Sequence, residues 1–148
     1  MYLHSSVPYY AAAAATAIAG ILHLVLAANG ISRGGSLSSI FFIISGILQI
    51  FWAMPMARRW GRIWYYIGIG GTIILIMMYF VTRAPNPITG GRALSINSLG
   101  IATEIFQFIY VGITVYILAR QKGLTTEQKE QLKQSKKGNK NPGQSESQ

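Results

Sequence analysis

The chain has few side chains that could do acid–base chemistry, and two of them lie inside its most apolar stretches. His23 is the only histidine in those stretches, and Glu104 is the only acidic residue before the C-terminal tail. A histidine and a carboxyl group can relay a proton or bind a polar ligand. Because an isolated charge in hydrocarbon is costly, we expect Glu104 to be protonated or paired with His23 or Arg83.

The set is too small for a metal centre or a standard hydrolytic site. Zinc and copper sites usually take three or four protein ligands, and the chain has no Cys and no Asp. A second axial histidine for haem is available only at His4, outside the apolar stretches. The sequence also lacks paired carboxylates, a Ser-His-Asp set and a Gly-rich phosphate loop. We therefore predict no catalytic residue, no metal and no cofactor.

Four apolar stretches must position these residues. A helix needs about 20 apolar residues to cross the hydrocarbon, and the stretches run over about residues 9–28, 37–55, 64–82 and 97–118. The first three contain no Lys, Arg, Asp or Glu, and the fourth contains only Glu104. Of all residues, 51% are hydrophobic and 11% are charged. We predict an all-α fold, an up-down-up-down bundle of four transmembrane helices in the cell membrane.

Two other classes, a chain with a cleaved signal peptide and a membrane β-barrel, fit the sequence less well. A signal peptide would carry positive charge before its apolar core, and residues 1–8 contain no Lys or Arg. A membrane β-barrel would alternate apolar and polar residues, and runs such as residues 40–44 do not alternate. Both patterns favour a first spanning helix over either alternative.

The net charge of +9 predicts the orientation. Ten of the 13 Lys and Arg residues lie on the side that holds both termini and the loop between the second and third spans. By the positive-inside rule this side is cytoplasmic. Nothing in the pattern of aromatic and basic residues indicates nucleic-acid binding.

The predicted domain boundary falls after residue 119, with the bundle in 1–119 and a basic cytoplasmic tail in 120–148. Gly123 is expected to end the fourth helix. The capping-box spacing of Thr125 and Gln128 predicts a short second helix to about Ser135. The composition of residues 136–148 is typical of a disordered segment.

The loop between the third and fourth spans has an unusual composition. Two prolines make its first part stiff, and two glycines permit a tight turn. The candidates for a docking surface are Pro85, Asn86, Pro87, Gly90 and Gly91. A plain turn is the alternative interpretation.

Polar and small residues recur on one face of each predicted helix. Placed at about 1.5 Å per residue, His23, Glu104 and Tyr79 share one level, with Arg83 one turn further out and Gln107 one turn deeper. Polar groups inside a membrane bundle either hold helices together or form a functional site. We keep both interpretations for His23, Glu104, Gln107, Tyr79 and Arg83: a structural hydrogen-bond network, or a proton relay or ligand site.

These residues together resemble a known pattern. The resemblance is carried by His23, Gln49, Arg58-Arg59, Thr82-Arg83, the run from Pro87 to Gly91, and Glu104. The chain resembles, over about residues 18 to 118, an uncharacterised family of small four-helix membrane proteins of actinobacteria and ammonia-oxidising archaea. The resemblance implies the fold and topology, and an accessory subunit of a membrane enzyme such as archaeal ammonia monooxygenase. It transfers no catalytic residue.

Three functions therefore compete at this point. The first is a non-catalytic subunit that contacts the lipid bilayer and either a membrane-protein partner or a second copy of itself. The second is a small proton-coupled transporter, or a ligand-binding membrane protein, built on His23 and Glu104. The absence of an internal repeat and of a proline-broken span counts against a transporter. The third is an enzyme that takes its cofactor from outside. We favour the first, a protein that is not itself an enzyme.

Overall fold

The computed structural model describes residues 6–32, 37–85, 87, 91, 93 and 95–138, and within them the chain is helical with no strand. The helices are α1 (Val7–Ser32), α2 (Leu37–Ala57), α3 (Arg62–Val81) and α4 (Ser98–Gly138). Each is long and apolar enough to cross a membrane. The predicted all-α bundle of four antiparallel spanning helices is confirmed. The side of the membrane on which the termini lie stays a prediction.

Large apolar side chains cover the outside of the bundle, and small or polar ones fill its interior. Ile, Leu, Val, Phe and Met side chains on all four helices are exposed. The buried polar residues are Thr16, His23, Ser39, Ser45, Gln49, Thr72, Thr103, Glu104, Gln107 and Thr114. A protein in water buries the opposite set, whereas lipid solvates apolar side chains. The molecule is a multi-pass membrane protein.

Helices α1 and α2 approach each other most closely at a pair of glycines. A Cβ atom built on Gly20 would lie 2.7 Å from the carbonyl oxygen of Gly46, and one on Gly46 would lie 2.8 Å from the carbonyl oxygen of Gly20. Beside this crossing, the Thr16 hydroxyl donates to the Gln49 carbonyl over 3.1 Å. Small residues let membrane helices approach to backbone contact, and here they bring the two backbones together.

Helix α1 also packs against α4, while α3 is bound more loosely to α2 and α4. The antiparallel order of α1 and α4 is shown by the Gln121 amide, which donates to the Tyr9 hydroxyl over 3.1 Å. On α3, only Tyr65, Gly68, Thr72 and Ile76 are buried. The third helix therefore gives most of its surface to its surroundings.

The main cluster of buried apolar side chains lies in one half of the bundle. Its buried members are Tyr9, Ala12, Ala13, Ala15, Met56, Tyr65, Tyr110, Ile117 and Leu118. All of them lie toward the turn between α2 and α3, which we call the arginine end because it carries Arg58, Arg59 and Arg62. The opposite end, where α3 connects to α4, is called the proline end. Most of the buried polar residues lie between the core and the proline end.

The turn at the arginine end closes α2 with a Schellman motif. The Trp60 amide donates to the Pro55 carbonyl over 3.1 Å, and the Arg59 amide donates to the Met56 carbonyl over 3.3 Å. The motif places Arg59 in the left-handed region with φ 54°, a position that glycine usually occupies. Its guanidinium lies over the Tyr9 ring, 4.7 Å from the centroid.

Helix α4 differs from the sequence expectation at its C-terminal end. It continues through Gly123 to Gly138 as one helix of 41 residues, with no stop and no separate short helix. The Thr125 hydroxyl, expected to cap a new helix, instead donates back to the Gln121 carbonyl over 2.9 Å. A mid-helix glycine costs only about 1 kcal/mol, which the helix-forming residues on both sides offset. Residues 136–148 were predicted to be disordered, but 136–138 belong to α4. Residues 139–148 lie outside the described part of the chain.

Candidate functional site

One face of α4 supplies most of the candidate site. Asn97 caps the helix, because its Oδ1 accepts the Gly100 amide proton over 2.6 Å, and this fixes where the helix begins. Residues three or four apart then share a face. Glu104, Gln107 and Tyr110 follow at this spacing, and all three are buried.

Two side chains of the α3 C-terminal segment fold over the start of that face. The Arg83 guanidinium lies on the Tyr79 ring, 4.0 Å from the centroid, and Arg83 Nη1 donates to the Ser95 carbonyl over 2.5 Å. A Cβ built on Gly100 would lie 3.2 Å from Tyr79 Cε2 and 3.3 Å from Arg83 Nη2. The lack of a side chain at Gly100 therefore makes room for both.

Glu104 lies one helical turn below Gly100 and is 8% exposed. Arg83 is near enough for its positive charge to act on the Glu104 carboxyl group. Of the two predicted partners of this carboxyl, Arg83 approaches from α3. His23, in contrast, projects toward α2, where its ring lies 5.7 Å from that of Phe42. A direct contact between His23 and Glu104 stays a prediction.

His23 is held by its own helix and by α2. Its Nδ1 lies 3.0 Å from the Ala19 carbonyl oxygen. Because a carbonyl can only accept, Nδ1 carries the proton in this contact, and a neutral ring then has an acceptor at Nε2. The Gln49 side chain is near enough to the ring to interact with it. The helical spacing of the second span predicts Gln49 on its interior polar face, and its position here makes it part of the site.

Each helix contributes one buried polar side chain to the same region of the bundle. Tyr9 of α1 contacts Gln121 of α4, and the two helices run in opposite directions. Moving along both helices from this contact by the same number of residues, at about 1.5 Å each, places His23 beside the turn of α4 that contains Glu104 and Gln107. The register of α3 against α4 is given by two contacts, Gly68 with Tyr110 and Tyr79 with Gly100. Thr72 lies between them on α3, beside the same turn of α4. We call His23, Gln49, Thr72 and Gln107 the polar layer.

Several polar atoms in and around this layer have no hydrogen-bond partner among the described residues. They are Glu104 Oε2, Gln49 Oε1, both amide atoms of Gln107, and the Tyr110 hydroxyl. Gln107 is only 1% exposed. Buried polar groups in proteins are nearly always satisfied, so this concentration marks the layer as the place where bound molecules are expected.

Aromatic residues close the bundle between the polar layer and the arginine end. The Trp52 indole donates to the Trp64 carbonyl over 3.1 Å, and the rings of Tyr9 and Tyr65 lie 6.2 Å apart. The Tyr110 hydroxyl and the Trp52 indole both press against Gly68, where an added Cβ would overlap with them. The polar interior is thus bounded on this side by tightly packed rings.

Some residues of the site were missed by the sequence reasoning. Tyr110 has the helical spacing of the predicted stripe, three residues beyond Gln107, but its phenol ring resembles a lipid-facing aromatic. The helical spacing of the second span predicts Ser38, Ser45 and Gln49 on one interior face, whereas the structure buries Ser39, Ser45 and Gln49. Gly46 contacts the backbone of α1, but the sequence alone does not indicate which residue of α1 it contacts.

The predicted docking loop is only partly described. Pro85, Pro87 and Gly91 are exposed, and Gly91 has φ 77°, in the left-handed region that favours glycine. Asn86 and Gly90 lie outside the described residues. Whether the loop binds a partner stays a prediction.

Within the described residues, no group of three or more His, Cys, Asp or Glu side chains is arranged to hold a metal ion. No protein-family model, curated protein or solved structure matches the chain. The class defined by the fold is therefore a four-helix membrane protein with a polar interior. The resemblance to the small actinobacterial and archaeal membrane proteins remains an expectation from the sequence.

Proposed function

We propose that the protein is a non-catalytic subunit of a larger membrane complex, and that it packs through α3 against a transmembrane helix of a partner protein. Both termini face the cytoplasm in this arrangement. The proposal is supported by one observation above all: α3 is loosely held in its own bundle and presents a broad, shaped surface outward.

The outward surface of α3 has a glycine at its centre. Gly70 is exposed, and a Cβ atom built on it would meet nothing within 4 Å. Its neighbours one turn away on the same face are large and exposed: Tyr66, Ile67, Ile73 and Ile74. Met77, two turns away, is exposed as well. The face is therefore a shallow notch between bulky side chains.

Such a notch fits a helix better than it fits lipid. Lipid solvates Ile and Leu well, so a membrane helix gains little from glycine on its lipid-facing side. Between helices, in contrast, a small residue permits close approach and favourable packing. Pro85 and Pro87, both exposed, follow α3 directly and would extend the same contact beyond the membrane.

The test is a bulky substitution in the notch with a matched control on another helix. Gly70→Leu fills the notch, while Gly112→Leu makes the same change at an exposed, open position of α4. Each variant is expressed in the native host, extracted in mild detergent and resolved by native electrophoresis. We expect the wild type and Gly112→Leu to migrate in a complex of higher mass, and Gly70→Leu to migrate as the free protein.

Three results would count against the proposal. Migration of the wild type only as a free monomer or homodimer would remove the larger complex. A complex that survives Gly70→Leu unchanged would remove α3 as its contact surface. Loss of the complex in Gly112→Leu alone would move the contact to α4.

A further inference from the structure

We propose that the polar layer binds internal water molecules, and that this water enters from the proline end only, past Glu104. The layer is then a hydrated pocket that stops inside the membrane, not a channel through it. The proposal does not depend on whether α3 binds a partner.

The first support is the number of buried groups that need a partner. Gln107 is 1% exposed, and neither its amide oxygen nor its amide nitrogen has a partner among the described side chains and backbone. One turn away along α4, Glu104 Oε2 is in the same condition. Each such group costs about 1–3 kcal/mol if it stays unsatisfied.

The chemistry of these groups identifies the ligand. The amide of Gln107 offers one donor group and one acceptor. Gln49 Oε1 adds an acceptor from α2. A cation would repel the amide N–H groups, and an anion would be repelled by the carbonyl and carboxyl oxygens. Water both donates and accepts, and a buried water typically makes about three hydrogen bonds to groups of this kind.

Polar groups continue from the layer toward the proline end. Above Gln107 comes Glu104, and above Glu104 come the Arg83 guanidinium and the Asn97 side chain, which lie 3.3 Å and 3.0 Å from the position of a Cβ on Gly100. Glu104 is six residues from the start of α4, or about 9 Å along the helix. A short polar route thus leads inward past this carboxyl group.

Toward the arginine end the route is closed. Below Tyr110 the interior is the apolar core, in which Tyr65 and Tyr110 are each 1% exposed. The hydroxyl of Thr114, one turn beyond Tyr110, donates to the Tyr110 carbonyl over 2.7 Å and is taken up by its own helix. Water that enters at the proline end therefore meets packed rings and methyl groups.

The experiment measures hydrogen–deuterium exchange of side-chain amides in the full-length protein in lipid vesicles. The protein is labelled with nitrogen-15 at glutamine side chains and tryptophan indoles. The chain has eight glutamines, and only Gln49 and Gln107 lie within the spans, so two buried glutamine signals are expected. Gln107→Leu and Gln49→Leu assign them. Solid-state NMR spectra are recorded after transfer into D₂O.

We expect the Gln107 amide signal to disappear within minutes, as the tail glutamines do. The Trp52 indole N–H, which donates to the Trp64 carbonyl inside the aromatic region, serves as the dry reference and should persist for hours or longer. Glu104→Leu should slow exchange at Gln107 by an order of magnitude, because it replaces the polar entry by an apolar side chain. Glu104→Asn, the polar control, should leave exchange fast.

The outcomes separate the two parts of the inference. If the wild-type Gln107 amide is as protected as the Trp52 indole, the layer is dry and the proposal is wrong, whatever the variants do. If exchange is fast but Glu104→Leu does not slow it, water reaches the layer by another route. If the Trp52 indole exchanges as fast as Gln107, the pocket is not closed at the arginine end.

Discussion

Replacing Gly20 by alanine tests most directly what holds α1 and α2 together. The new Cβ would lie 2.7 Å from the Gly46 carbonyl oxygen and 2.8 Å from Ile50 Cγ1. Ordinary contact begins near 3.4 Å, so the helices must separate locally by about 0.7 Å. A backbone carbonyl cannot rotate away as a flexible side chain can.

The expected cost follows from that separation. A gap of about 0.5–1 Å removes a quarter to a half of the dispersion energy of each contact. Overpacking a well-packed interface costs about 1–3 kcal/mol, and a clash with backbone belongs at the upper end. Alanine returns about 1 kcal/mol through its helix propensity. We expect Gly20→Ala to lower the free energy of unfolding by about 2 kcal/mol.

Gly70→Ala is the matched control, because it makes the same substitution at a mid-helix glycine with nothing within 4 Å. Only the propensity gain of up to about 1 kcal/mol applies there. Unfolding by SDS in mixed micelles, followed by far-ultraviolet circular dichroism, gives the free energy for each variant. Equal stability of Gly20→Ala and Gly70→Ala would refute the backbone contact between α1 and α2.

Three further outcomes follow from other parts of the molecule. Arg59→Gly should be at least as stable as the wild type in the same SDS titration. Glycine relieves the left-handed backbone strain, about 1 kcal/mol, and this gain offsets the loss of the ring contact with Tyr9, about 0.5–1 kcal/mol. Arg59→Ala loses the ring contact without that gain and should be less stable. Gly123→Pro should reduce the helical circular-dichroism signal of α4, whereas Gly123→Ala should preserve it, and equal spectra would contradict the continuous helix. Because the chain has no Cys, single cysteines report orientation: an impermeant maleimide applied to intact cells should label Ala93→Cys and spare Gln128→Cys, and the reverse pattern would invert the predicted topology.

The sequence predicted the four helices because membrane spans leave a strong signal. The spans predicted over 37–55 and 64–82 agree with Leu37–Ala57 and Arg62–Val81 to within a few residues. The same signal ended too early for α4. Apolar content shows where the membrane-spanning part of the helix ends, but the helical backbone continues beyond that point. At Gly123 the helix-forming residues on both sides outweighed the single glycine.

The buried stripe was also predictable, but contacts within it were not. Helical spacing predicted that His23, Glu104 and Gln107 lie on the interior faces of their helices, and all three are buried. Which stripe meets which depends on how the helices rotate and slide against one another. That is decided by contacts such as Gly20 with Gly46, which a single sequence does not name. The proximity of Arg83 to Glu104 and of Gln49 to His23 follows from these rotations.

The way in which α3 is held bears on both the proposed partner contact and the proposed hydrated pocket. Lipid does not drive membrane helices together, so each helix stays only where specific contacts hold it. At the arginine end, α3 is held by Gly68 against the rings of Trp52 in α2 and Tyr110 in α4, and by Tyr65 against Tyr9 in α1. At the proline end, Tyr79 and Arg83 lie against Gly100. Between these two ends, Thr72 is its main buried polar contribution. The middle of α3 therefore faces the polar layer on its inner side, and the notch at Gly70 lies on its outer side. A partner helix bound at the notch would push α3 toward the polar layer on its other side. Partner binding and the exchange rate of the Gln107 amide should therefore change together.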